Sequence, residues 1–542
     1  MPPISPEETP VAPPRVQPGR IGPLEPLRLP VFRMLWTTWL MANVCMWMND
    51  VAAAWMMTSL TNSPMWVALV QSASTLPVFL LGLPSGALAD ILDRRRWLVA
   101  TQFWLAGTAI VLCAAVVLDL ISAPLLIALT FANGIGLALR WPVFSAIVPE
   151  LVPRSHLPAA LGLNGIAMNA SRIVGPLLAG TLIASAGSVW VFGLNAVLCL
   201  ASGFVVLRWR REHTPSPLGR ERLFSAMRVG VQFVRQSQRM RAVLTRVAIF
   251  FFHSTALLAL LPLLALNLHG GGAGTFTLLL AAMGSGAIIA VLFLPRLRQA
   301  FARDQLVLRG AVLQSGATAV MAVAPNAWIA VPAMFIGGMA WITTANSLSV
   351  SAQLALPDWV RARGMATYQM AIMGASALGA AIWGQVAELS TLYVSLGIAA
   401  ASGVCCMLIA LRTVSDGTSE EDDISPASKG WAAGPPPMAP DEEGRVVITI
   451  EYVIDPARAA AFRLVMHETR RARLSQGAIG WELLHDITEP GRYVEQIIDE
   501  SWTEHLRRFH RATAADIALR ERRLAFHQTD TLPAVKRYIA HR

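Results

Sequence analysis

Read for hydrophobic and polar positions alone, the chain alternates between long apolar runs and short polar breaks from residue 31 to residue 411. Twelve runs stand out, at 32–57, 65–89, 97–119, 122–142, 160–185, 188–207, 242–268, 274–295, 304–324, 327–350, 363–388 and 390–411. Each is near the roughly 20 residues that a helix needs to cross the hydrocarbon of a bilayer. Helix is the expected form, because lipid cannot pair with backbone N–H and C=O groups and an open strand would leave its edge bare. The pattern predicts an all-α membrane protein: twelve transmembrane helices in two six-helix halves, 31–207 and 242–411.

Outside these runs the texture changes. Residues 1–30 carry ten prolines and no apolar core of a signal peptide, and they read as a disordered leader. The connection 208–241 contains a stretch with Leu223, Met227, Val231 and Val234 at helical spacing and arginines on the other faces. An amphipathic helix on the membrane surface fits this pattern; a connector packed under the bundle fits it equally well. Residues 412–444 hold the acidic run Glu420–Asp423 and the triplet Pro435–Pro437, and predict a second disordered linker. From 445 to 542 the pattern is that of a soluble domain. RVVITIEYVI alternates like a strand, a helix follows Asp455-Pro456 to about Ser475, GAIGWELLHD and RYVEQIIDES read as two strands, and Trp502 to about Phe526 reads as helix. That order predicts a small ferredoxin-like α+β domain.

Composition sharpens the membrane reading. Hydrophobic residues are 54% of the chain and charged residues only 14%, well short of the quarter usual in soluble proteins. The net charge of +10 invites a nucleic-acid reading, but the distribution of the basic residues excludes it. Arg94–Arg96, Arg154, the arginines of 208–241, Arg296, Arg298, Arg303, Arg361 and Arg363 all follow even-numbered runs. The alternate breaks, near 58–64, 120–121, 186–187, 269–273, 325–326 and 389, have no Lys or Arg. By the positive-inside rule both termini are cytoplasmic, in a multi-pass protein of the inner (plasma) membrane whose basic loops meet anionic lipid.

Charges inside the apolar runs are functional candidates by default, since each costs several kcal/mol there unless paired or wetted. Asp50 is the acid well inside a run of the first half and is a candidate proton acceptor. Arg172 lies deep in the fifth run, suited to an anionic substrate or to neutralising an acid. His253 in the seventh run has the intrinsic pKa for a proton relay. Arg140 lies near the inner end of the fourth run and reads as structural, and Glu388 ends the eleventh and reads as solvated outside. The five cysteines lie in apolar runs without metal-ligand spacing. No Walker lysine motif occurs. No metal, cofactor or catalytic constellation is expected, and the chain does not read as an enzyme.

Two stretches carry a resemblance. Gly86-x-Leu88-Ala89-Asp90-x-x-Asp93-Arg94-Arg95, between the second and third runs, resembles the signature loop of the major facilitator superfamily. Asp93 stands at the motif's second glycine and Ile91 at its first basic position. Trp47, Trp55, Leu60–Pro64 and Leu83–Gly86 are similar to the branch of enterobactin-exporter-type permeases, which often has Gly-Asp where this chain has Cys45-Met46. In the fifth run, Gly175, Pro176 and Gly180 resemble the superfamily's antiporter motif, with Ser171 and Ala179 replacing two glycines.

The resemblance implies a secondary transporter energised by protons, with a gate at Gly86, Asp90, Asp93, Arg94 and Arg95 in which Asp90 faces the start of the eleventh helix and Arg94 orients it. The antiporter motif implies export of amphipathic small molecules, drug or siderophore, by alternating access. The same fold would serve an importer, and a membrane-anchored enzymatic or regulatory tail is the alternative of a different class. The tail resembles dimeric α+β barrel domains. That likeness implies homodimerisation through residues 445–542 and a pocket drawn from Trp481, Glu482, His485, Glu495, Trp502, His505 and His510.

Overall fold

The structure is a computed structural model that describes residues 24–91, 93–153, 156–209, 223–357, 359–414, 444–529 and 531–540. Residues 1–23 of the expected leader, most of the acidic linker and the middle of the 208–241 connection lie outside the described residues; the end of the leader is ordered instead, with a 3-10 turn at Glu25–Arg28 and Leu27 and Leu29 packed on the bundle. Six long helices come first: α1 (Pro30–Leu60), α2 (Pro64–Ile91), α3 (Arg94–Val117), α4 (Ala123–Leu151), α5 (Leu157–Ala186) and α6 (Ser188–Arg208). The short α7 (Leu223–Gln236) follows. Six more long helices complete the bundle: α8 (Gln238–Asn267), α9 (Ala273–Ala300), α10 (Arg303–Val323), α11 (Ala327–Leu354), α12 (Arg361–Leu389) and α13 (Leu392–Thr413).

Eleven of these helices contain stretches long and apolar enough to cross a membrane, among the described residues. The exception to the expected twelve is α1. Its Arg33, Asn43, Asn49, Asp50 and four tryptophans dilute its apolar character, although it packs in the same bundle against α5 and α6.

Local chemistry sets the helix ends. Prolines open α1 and α2, where the missing N–H would have had no helical partner. Asn326, Thr391 and Ser237 cap α11, α13 and α8, each accepting from a backbone N–H three residues on.

The halves pack by the same scheme. In the first, α2 lies on α4, α3 on α6 and α1 on α5; in the second, α9 lies on α11, α10 on α13 and α8 on α12. Shifting each label by seven maps one set onto the other, as expected for an internal repeat. The main contacts between halves obey the same mapping: α2 runs along α12, and α5 along α9. Small residues permit the first of these. A Cβ on Gly384 would stand 2.5 Å from the Ala68 methyl, and one on Gly82 would stand 2.7 Å from Met370.

The connector packs under the bundle, which decides between the two readings of its sequence. Val229, Gly230 and Val234 of α7 are buried, and Phe233 meets Trp359 edge-on at 5.7 Å. The other side of α7 holds the C-terminal domain. Arg228 pairs with Glu500 at 2.6 Å, and the Gln232 amide donates to the Ala478 carbonyl at 2.7 Å. The Arg511 guanidinium lies over the Trp359 ring.

That domain comprises β1 (Arg445–Val453), α14 (Ala459–Ser475), β2 (Gly480–His485), β3 (Arg492–Asp499), α15 (Trp502–His510), α16 (Ala514–Leu524) and β4 (Ala534–Ala540). The sheet is antiparallel throughout in the order β2-β3-β1-β4. β4 does not stand out in the sequence, and the expected single helix from Trp502 is two. Thr513 starts the second of these with a capping box to Asp516. Tyr452, Tyr493, Phe462 and Met466 form the apolar centre.

Two acids are buried beside it. Glu495 accepts from Arg473 Nε at 3.0 Å, Trp481 Nε1 at 3.1 Å and the Tyr452 hydroxyl at 3.1 Å. Asp499 contacts His505 Nδ1 at 2.7 Å and Arg508 at 3.2 Å. Four of the residues expected to furnish a pocket, Trp481, Glu495, Trp502 and His505, are thus interior or stacked upon it. The side chain of His510 lies outside the description.

Burial pushes the Glu495 carboxyl up, but Arg473 and Arg523, with the hydrogen bonds from Arg473 and Trp481, overcome this and hold it at about 2. Its folded pKa is below the roughly 4.3 of a free Glu. It therefore contributes stability above that pH, and the contribution fades as pH falls toward about 2. Glu495→Gln leaves Arg473 buried without its anion and should cost the domain about 3–5 kcal/mol. The expected readout is earlier melting and faster proteolysis of the tail in the detergent-purified full chain; unchanged melting would refute the assignment.

Candidate substrate pathway between the halves

The cavity between the halves is built by helices of both. Trp47 and Asp50 come from α1, Gln71 from α2, Arg172 and Pro176 from α5, Phe276 and Met283 from α9, and Trp341 from α11. It offers ≈ 140 Å³ to the centres of water molecules. One water needs roughly 10–15 Å³ of such space, so there is room for on the order of ten waters or one small organic molecule. Its walls are mainly apolar, with Asp50, Gln71 and Arg172 as the polar exceptions.

Asp50 lies one turn beyond Trp47 on α1. Its carboxylate accepts from the Ser74 hydroxyl of α2 at 2.9 Å. Arg172, half-buried on α5, has its guanidinium 5.2 Å from the Trp47 ring centre and 4.6 Å from that of Trp341. The two indoles come from opposite halves, so one cation touches both sides of the interface. Neither tryptophan was legible as an arginine partner, because they are 294 positions apart in the chain.

The other candidates fall elsewhere. His253 faces the interior of the second half, in a small void with Gln314, Ser315, Thr318 and Gly403. Its Nδ1 is 2.7 Å from the Ile249 carbonyl, one turn back on α8. His253 thus lines a different void from Asp50 and Arg172. Arg140 is buried over Trp39 at 5.3 Å, and Trp39 stacks on Phe144.

The motif glycines of α5 have specific neighbours. A Cβ on Gly175 would stand 2.5 Å from Trp47 Cβ, and one on Gly180 would stand 2.6 Å from Thr277 Oγ1. These glycines bring α1 and α9 against α5, and Gly175 seats Trp47 beside Arg172. In the loop motif, Asp93 is the N-cap of α3 and accepts from the backbone N–H of Arg95 at 2.9 Å and of Arg96 at 3.2 Å. A glycine there could not do this, which gives the departure from the family pattern a physical reason. The Arg95 guanidinium donates to the Leu207 carbonyl at the inner end of α6, and Arg94 begins α3. Gly86 and Asp90 lie in the last turns of α2, and the Asp90 side chain is outside the description.

A sequence profile described as transmembrane secretion effector matches residues 21–542. The chain belongs to this family. Its relatives are transporters of the major facilitator type. It is 24% identical to the enterobactin exporter of Salmonella typhimurium over 70% of this chain and 91% of that one. It is 22% identical to the staphyloferrin A transporter of Staphylococcus aureus, over 46% of this chain and 63% of that one. It is 24% identical to macrolide efflux protein A of Streptococcus pyogenes, over 48% and 65%. The matches to the last two thus span just under two thirds of those relatives. The fold is that of the nucleoside transporter NupG, with a TM-score of 0.57 at 13% identity over 71% of this chain and 98% of that one. A bacterial homologue of the lysosomal transporter spinster gives 0.54 at 15% identity over 72% and 96%.

This member of the secretion effector family also ties its halves together at the far end of α12. Glu388, expected to be solvated, accepts from the Ser63 hydroxyl at 2.6 Å and from the Met65 N–H at 3.4 Å. Its carboxylate thus sits at the N-terminus of α2, where the free N–H groups and the helix dipole favour an anion. Losing it should weaken the hold of α12 on α2. In a chain otherwise free of cysteine, Glu388→Ala should speed labelling of Gln71→Cys by a membrane-impermeant maleimide about tenfold, equivalent to ~1.4 kcal/mol. Unchanged labelling would mean that the contact does not hold the outer ends together.

Proposed function

We propose that the protein is a proton-coupled exporter of small amphipathic molecules that works by alternating access. The carrying observation is the cavity walled by both halves, with Asp50 and Arg172 facing it among indole, phenyl and aliphatic groups. A central site between two repeated halves can be offered to either side by rocking one half against the other. The export direction draws support from the relatives named as enterobactin exporter and macrolide efflux protein, and from the antiporter-like Gly175, Pro176 and Gly180.

In this reading α1 is the twelfth span, both termini are cytoplasmic, and the membrane is the inner (plasma) membrane. Asp50 takes the proton. It is the acid that lines the cavity, and its hydrogen bond from Ser74 fixes one oxygen while leaving the other for a proton or a substrate. Two contacts between α2 and α12 alternate. At the inner end Asp90 meets the first turn of α12, with Asp93, Arg94 and Arg95 holding the loop. At the outer end Glu388 meets the first turn of α2. Each is a carboxylate at a helix N-terminus, and each can break while the other forms.

The tail is a ferredoxin-like domain in this reading, supported by its sheet order β2-β3-β1-β4. Its buried acids are committed to structural partners, which favours a docking role over catalysis. Pairing of two tails through the open sheet face is compatible with its placement below the bundle.

Inverted membrane vesicles carrying the protein, energised by a pH gradient, test the proposal. Addition of a transported amphipathic compound should collapse the gradient, and Asp50→Asn should abolish that collapse at equal protein level. Normal collapse in this variant would remove Asp50 from coupling. No collapse with a broad panel of drugs and siderophores would overturn proton-coupled export of these classes.

A further inference from the structure

Arg172 and Asp50 present opposite charges to one cavity without neutralising each other. The Arg172 guanidinium has aromatic faces on both sides and no carboxylate or carbonyl partner among the described residues; its Nε donates to nothing. Asp50 accepts one hydrogen bond, from Ser74, and has no cationic partner among the described residues. Cation–π contacts with tryptophan contribute about 2 kcal/mol each at best when desolvated. They offset part of the cost of a guanidinium held deep in the bundle, and they leave its N–H edge without an acceptor. Both charged groups come from the first half, on α5 and α1, so their spacing survives any rocking of that half. The wall around them is flat and apolar, from Trp47, Trp341, Phe276 and Pro176.

We infer that the cavity selects zwitterionic amphiphiles: an anionic group on Arg172, an ammonium on Asp50, and an aromatic body along the indoles. This rests on the reading of the cavity as the transport site and specifies its substrate class. A simple anion would leave Asp50 neutralised only by its proton, and a simple cation would leave Arg172 unpaired. A buried charge without a partner is penalised heavily, so only a molecule carrying both charges satisfies both walls. The arrangement also supplies the exchange. The substrate ammonium and a proton compete for one carboxylate, so loading the substrate releases the proton. Reprotonation of Asp50 after release resets the site.

The test is equilibrium dialysis of the detergent-purified full chain, without any gradient, against four ligands sharing one aromatic body. These are naphthylalanine (zwitterion), naphthylethylamine (cation), naphthylpropanoate (anion) and naphthylpropanamide (neutral). Naphthylalanine should bind about tenfold or more tightly than each of the others. Arg172→Gln should erase its advantage over naphthylethylamine, and Asp50→Asn its advantage over naphthylpropanoate. Equal binding of naphthylalanine and either singly charged ligand by the unaltered protein would overturn the inference, as would no binding of naphthylalanine. That comparison needs no variant, so a misfolded substitution cannot protect the idea. The vesicle experiment fails separately: zwitterion preference without gradient collapse would strike the coupling, and collapse without zwitterion preference would strike only the substrate class.

Discussion

Hydrocarbon offers no hydrogen bonds, and a charge placed in it must bring its own environment. Most of what is distinctive in this protein follows from that constraint. The arginines gather in the loops and at the helix ends that follow even-numbered spans, where water and headgroups receive them. Of those that remain inside, Arg140 lies over Trp39 and Arg172 between Trp47 and Trp341, while Arg246 pairs with Asp304. Tryptophan gives a cation a face to rest on while keeping its own bulk apolar. Two of the four tryptophans of α1, Trp39 and Trp47, supply these faces.

The same constraint organises the interface between the halves. Close packing of α2 on α12 and of α5 on α9 uses small residues, because lipid supplies no hydrophobic drive for helices to associate and contact must come from fit. Gly82, Gly384 and Gly180 each admit a neighbour from the other half that a methyl group would displace. Polar contacts between the halves are few: Glu388 accepts from Ser63 at an exposed end, and the Ser72 hydroxyl donates to the Ala377 carbonyl in the buried part. The middle is left to the cavity.

Much of the bundle was legible in the sequence because a spanning helix declares itself by length and composition. The runs at 160–185 and 274–295 became α5 (Leu157–Ala186) and α9 (Ala273–Ala300), each a few residues longer than its apolar run. The tail was legible through β3. β4 was not: AVKRYIA is short, mostly exposed and interrupted by Lys536 and Arg537, so it has no alternating apolar face to betray it. Among the candidate site residues, Asp50 and Arg172 could be found as charges out of place. Their shared cavity, the exclusion of His253 from it, and Trp341 as the second indole depend on which helix faces meet, and no local pattern encodes that. Glu388 is exposed as expected, but its partner Ser63, 325 residues away, was not legible for a similar reason.

The tail is attached to the helical bundle twice. The chain itself is one attachment, through the proline-rich acidic stretch after α13. The other is the noncovalent seat on α7 and Trp359, with its ion pair, amide bond and stacked guanidinium. Position is set by the seat, so the stretch need only be long enough to reach. Its length and composition can drift without moving the domain, whereas the few side chains of the seat cannot. Because Trp359 lies just before α12, a tilt of that helix would carry the seat with it, and a small displacement there would become a larger sweep at the far edge of the sheet.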